Sequence, residues 1–140
     1  MSSIWSSIDA AGTGVNVDQT WINTIASNVA NMNDGVTPGT PVYQAQYVVA
    51  GEQVSPATAG ETAMGTGVQV ESIDLGPAQG QNEYEPTNPQ ANAQGEVTYP
   101  VVDIGTQLAD LVQAQTSYQA NAKVMADSQT SYQAILNIKA

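Results

Sequence analysis

The sequence predicts a mainly α protein with a small β insertion. Paired N- and C-terminal helices would form a coiled-coil-like hairpin, with a central β-hairpin and extended segment between them. Three observations carry this. Residues 101–140 hold a 3.5-residue apolar repeat, residues 4–32 hold another, and residues 35–100 contain all seven Pro and nine of the twelve Gly. A 3.5-residue period is the seam of a coiled coil, narrower than the stripe of an ordinary surface helix.

The first repeat runs Ile4, Ile8, Ala11, Val15, Asp18, Ile22, Ile25, Val29, Met32, apolar except at Asp18. It predicts a helix over Ser2 to Asn33, ended by Asn33-Asp34-Gly35 with Pro38 and Pro41 beyond. Gly12 and Gly14 each weaken such a helix by about 1 kcal/mol relative to Ala. They read as a tolerated soft spot or as places where another helix comes close; a helix break is the alternative. Asp18 fixes register, marks where the seam meets a different partner, or is an exposed notch.

In the middle segment, Pro41 to Val49 alternates Tyr43, Ala45, Tyr47 and Val49 against Val42, Gln44, Gln46 and Val48, which reads as a strand. Gly51 to Gly67 reads as a mobile loop or hairpin tip. Gly67 to Leu75 is the second strand. Val68 and Val70 differ in parity from Ile73 and Leu75, so a bulge is expected near Ser72. Gln79 to Gln94 reads as extended and polar, and Glu96 to Tyr99 as a short strand. A unit this small needs the helices or neighbours to be stable.

The last repeat steps through Ile104, Leu108, Leu111, Gln115, Tyr118, Ala122, Met125, Gln129, Tyr132 and Leu136. It predicts a helix from Asp103, the cap, to Lys139. At 1.5 Å per residue it spans roughly 55 Å, so it needs a partner along its length. Two seams of one period at opposite ends suggest mutual pairing. The expected organisation is 1–34 and 101–140 packing as one helical core, with 35–100 inserted.

Net charge is −11: −3 over residues 1–34, −7 over 35–100 and −1 over 101–140. The acidity marks the middle as the solvent-facing part. No Arg and only Lys123 and Lys139 exclude a nucleic-acid surface. With no Cys and no His there is no thiol chemistry and no common general base. No run approaches a membrane span of about 20 apolar residues. No basic residue precedes an apolar block at the N-terminus, so no secretory signal is expected, and the address is cytoplasmic unless an export route cleaves none.

Between Gln107 and Gln133 the off-seam positions are mostly Gln, Ala, Ser, Thr and Asn, with only Asp110, Lys123 and Asp127 charged, rather than the Glu and Lys of a free coiled coil; the first helix is similar. Such faces suit close packing on other helices, where desolvating charge is costly. The competing reading is a weakly stable hairpin with a polar exterior. Glu83 and Glu85 flank Tyr84 and could act as a hydrolase pair, but a solvated acidic loop beside Pro86 accounts for them. No catalytic, cofactor-binding or metal-binding residue is assigned, and no cofactor or small-molecule substrate is expected.

Two motifs bear on function. Ile25-Ala26-Ser27-Asn28-Val29-Ala30-Asn31 resembles the N-terminal motif of the bacterial flagellar axial proteins of rod and hook. Ser117-Tyr118-Gln119-Ala120-Asn121 resembles their C-terminal motif. Tyr84 to Pro100 is similar to the pre-helix segment of proximal-rod members. The chain has Gln19, Thr20, Trp21 and Thr116 where the family often has basic residues, and Val101 where Asn is common.

The resemblance implies a structural subunit of the basal-body rod, the drive shaft between motor and hook. Its helices would pack into the tubular wall, disordered before assembly. The implied partners are FlgB-, FlgF- and FlgG-like rod proteins, copies of itself and the flagellar type III export apparatus, with no signal cleaved. The residues assigned to helix packing and assembly are Ile4, Ile8, Val15, Ile22, Ile25, Asn28, Val29, Asn31, Met32, Leu108, Leu111, Tyr118, Gln119, Asn121, Met125, Tyr132 and Leu136. The alternatives are another rod protein, FlgB- or FlgF-like, or a secreted helical binding module or stalk with an acidic tip.

Overall fold

The computed structural model describes residues 2–54 and 65–138, with side chains from Trp5 onward. Among the described residues two long helices flank four strands in chain order: α1 (Ser2–Asn31), β1 (Gln46–Val54), β2 (Gly65–Leu75), β3 (Gln81–Tyr84), β4 (Glu96–Tyr99) and α2 (Ile104–Ile138). The helices lie antiparallel. Trp5 meets Tyr132, Ser7 meets Ser128, Asp18 meets Asn121 and Asn28 meets Gln107.

The start of α2 is set by Asp103. Its Oδ1 accepts from the backbone N–H groups of Gly105 at 2.8 Å and Thr106 at 3.2 Å, two of the donors that a helix start leaves without partners. α1 is continuous through both glycines. A Cβ at Gly14 would lie 2.6 Å from Asn121 Nδ2, whereas at Gly12 the nearest atom is Met125 Cε at 4.0 Å. Gly14 is thus a point of close helix approach and Gly12 has room.

β1 and β2 form an antiparallel hairpin. The register shifts between Val49 and Ala50, opposite Ser72 and Val70, so Glu71 is the extra residue. This bulge restores parity. Val70 and Val68 pair with Ala50 and Glu52, while Ile73 and Leu75 pair with Val48 and Gln46, which places all four apolar residues on one face. Residues 55–64, the tip of the expected loop, lie outside the described residues.

Two expectations for the middle are corrected. The first strand begins at Gln46, not Pro41, and runs on to Val54. Before it, residues 41–45 turn their polar groups to other partners: Ala45 O accepts from Gly76 N, and Tyr43 and Gln44 bond through their side chains. The segment read as extended contains β3, which pairs with β4 from Gln81↔Tyr99 to Tyr84↔Glu96. Its four residues are polar or exposed on both faces, so no alternation betrayed it. On the other edge of β4, Val36 and Thr98 exchange both backbone hydrogen bonds at 2.9 Å. Val97, Val42, Ala45 and Ile25 are among the buried apolar residues.

Candidate assembly surface

The seam between the helices is built from two columns on each. On α1, Ala11, Asp18 and Ile25 alternate with Ser7, Gly14, Trp21 and Asn28; all are buried or half-buried, and half-buried Met32 follows one residue past the helix end. On α2, Leu111, Tyr118, Met125 and Tyr132 alternate with Gln107, Ala114, Asn121 and Ser128. The spacing is the expected 3.5 residues. The second column on each helix is displaced by one residue from the expected apolar one. Ile8, Val15, Ile22 and Val29 are half-buried beside the seam rather than in it. Leu108, at 52% exposed, and Leu136 turn outward, as do Gln115 and Gln129.

The physical reason lies in the side chains of the displaced column. Ser7, Gly14, Ala114 and Ser128 are small, which lets two backbones approach. The amides fill the remaining space with hydrogen bonds. At one end, Asn28 is 1% exposed and uses its whole capacity. Its Nδ2 donates to Gln46 O and to Gln107 Oε1, both at 2.8 Å. Its Oδ1 accepts from Gln46 N at 2.8 Å and from Tyr43 Oη at 2.9 Å. One amide therefore ties α1, the start of β1 and α2 together, and Gln107, 2% exposed, is its partner across the seam. Midway, Asn121 Nδ2 donates to Asp18 Oδ2 at 2.9 Å in the space left by Gly14. At the far end, the Trp5 and Tyr132 rings meet edge to face, centroids 5.1 Å apart.

The hairpin packs on a neighbouring side of α1. Thr13 Oγ1 donates to Ala10 O and accepts from Val68 N. A cleft of about 600 Å³ lies between α1, α2 and the hairpin, lined among others by Asp18, Trp21, Glu52, Val68 and Asn121. A second, of about 500 Å³, is lined by Met32, Glu83, Glu85, Tyr99 and Asp103. There the Glu85 carboxylate accepts from Asn88 Nδ2 and from Tyr99 Oη, both at 2.8 Å. The bond from Asn88, then that from Tyr99, holds Glu85 below the ordinary carboxyl value. A carboxyl so held is a poor proton donor, which argues against a role as general acid. Among the described residues, no group of three or more acidic side chains could hold a metal ion. No described helix is long and apolar enough to cross a membrane.

Of the residues assigned to assembly, Ile25, Asn28, Leu111, Tyr118, Asn121, Met125 and Tyr132 stand in the intrachain seam, whereas Met32 lies past the end of α1 and lines the cleft beside Glu85. Asn31 is half-buried and bonds Ser27 O, closing the last turn of α1. Gln119 is exposed. The side chain of Ile4 lies outside the described residues. Asp18 is buried, so the exposed-notch reading fails. Sequence reasoning missed Gln107, Ala114 and Ser128, and offered Gly14 only as a soft spot or a point of close helix approach. Their signal was a second seven-residue recurrence of small and amide residues, hidden because apolar positions alone were counted.

The described surface of the helix pair carries little charge. Its ion pair, Lys123 with Asp127 at 2.7 Å, lies on an exposed turn of α2. Comparison with known proteins gives a consistent picture. The family profile for the flagellar basal body rod FlgEFG protein C-terminal region matches residues 93–138. The flagellar basal-body rod protein FlgC of Yersinia enterocolitica is 34% identical over 123 residues, covering 88% of each chain. The FlgC of Salmonella typhimurium is 36% identical, covering 84% of each. That of Borreliella burgdorferi is 27% identical, covering 96% of this chain and 97% of its own.

Proposed function

The chain belongs to the FlgC family of flagellar basal-body rod proteins, and from that premise we propose how this structural subunit of the proximal rod does its work. The antiparallel pair α1–α2 is the helical core, 35–100 is an insertion on it, and the pair packs side by side with neighbouring subunits to carry torque without catalysis. The observation that supports this is the apolar surface the seam leaves over. Ile8, Val15, Ile22 and Val29 flank it on α1, and Leu108 and Leu136 point outward from α2. The intervening positions are mostly uncharged, with Asp9, Asp110, Lys123 and Asp127 the exceptions, which keeps the desolvation cost of helix packing low.

The partners are FlgB-, FlgF- and FlgG-like rod proteins and further copies of this chain. The subunit reaches the basal body through the flagellar type III export apparatus with no signal cleaved. A chain without Cys forms no disulfide that would hinder threading. Removing the last ~20 residues, the outer part of the α2 seam, is expected to abolish rod assembly and motility. Swimming cells with normal flagella in that deletion would defeat the reading. So would absence of the intact chain from isolated basal bodies.

A further inference from the structure

Asp18 is an anomaly in the seam. It is 5% exposed, yet its one hydrogen bond among the described residues is from the neutral amide of Asn121 to Oδ2. A carboxylate this buried calls for a counter-charge. It borders the cleft of about 600 Å³ between α1, α2 and the hairpin. The same lining supplies a second carboxylate, Glu52, and apolar surface from Val17, Trp21 and Val68, with no cationic residue. Apolar walls with carboxylates beyond them suit a long cationic side chain, whose methylene stem packs while its head pairs. Trp21 adds a ring able to attract the cation.

Resting on the reading that this chain assembles into the rod, we propose that the cleft receives a Lys or Arg side chain from a neighbouring rod subunit of different sequence. A second copy is a poor donor. The chain has two Lys and no Arg, and Lys123 is paired with Asp127. The charge complementarity thus selects an unlike, more basic partner.

The test uses the full chain expressed in flagellated cells, with isolated basal bodies as the readout. Asp18→Asn keeps an acceptor for Asn121 and removes the charge. Expected are unchanged helical content by circular dichroism and a tenfold or greater fall in incorporation, with Glu52→Gln giving a smaller fall. Wild-type incorporation of Asp18→Asn overturns the proposal while leaving the assembly reading intact, whereas absence of the unmutated chain from basal bodies defeats that reading itself. Should Asp18→Asn lose helicity, photo-crosslinking decides. Ala50→p-benzoylphenylalanine, on the cleft wall, is expected to capture a Lys- or Arg-containing peptide of another rod protein. Capture of the same chain, of a second copy or of a segment without a cation, or no adduct at all, overturns it.

Discussion

At the scale of single residues, Asn28 carries more of the architecture than any apolar side chain. Its four hydrogen bonds join two helices and a strand; when it goes, Gln46 N, Gln46 O and Gln107 lose these bonds, while Tyr43 Oη keeps Ser27 Oγ at 3.2 Å. Asn28→Ala is therefore expected to cost about 3 kcal/mol, because buried donors and acceptors lose their partners. Denaturant unfolding followed by tryptophan fluorescence measures this, and a loss well under 1 kcal/mol would contradict it. The two glycines of α1 make a paired prediction. Ala is favoured over Gly in a helix by about 1 kcal/mol, so Gly12→Ala, with its nearest neighbour at 4.0 Å, is expected to stabilise. Gly14→Ala pushes a methyl against the Asn121 amide and is expected to destabilise instead. Equal effects of the two in thermal melts would refute the close approach at Gly14.

At the scale of elements, one carboxylate braces the end of the β3–β4 sheet. Glu85 accepts from Asn88 and Tyr99 just past the end of β3. Its depressed pKa means that this contribution is present above the ordinary value of 4.5 and is lost as pH falls below it. Tyr99 is displaced upward, chiefly by the same bond, so its share is lost only as pH rises beyond 10.0. Local order at Tyr99, read by NMR, is expected to fall as pH drops below the ordinary carboxyl value of 4.5. Glu85→Gln is expected to flatten that profile, and an unchanged acid transition in the variant would disprove the assignment. The elements also show what periodicity conveys. The 3.5-residue repeat announced both helices and their pairing, and the parity break at Ser72 announced the bulge. β3 was silent because a strand exposed on both faces has no reason to alternate.

At the scale of the molecule, the helix pair satisfies itself along one seam and leaves a second apolar set facing away. Leu108 and Leu136 are each 52% exposed, so little of the isolated chain's packing rests on them. Replacing both with Ser is expected to change the unfolding midpoint of the purified protein little, within about 0.5 kcal/mol. It is expected to reduce rod incorporation severalfold. A variant that melts early but assembles normally would show that these residues serve the fold rather than the assembly. Sequence by itself determined the fold class, the two helices, the cap at Asp103, the site of the bulge and, through the Asn28 and Asn121 motifs, the family. These follow from local periodicity, local backbone demands and short strings of residues. Only the tertiary structure decided which column of each helix faces the other. That choice rests on how closely two backbones approach, and close approach selects Gly14, Ala114 and paired amides over the leucines and isoleucines that hydrophobicity alone would place inside.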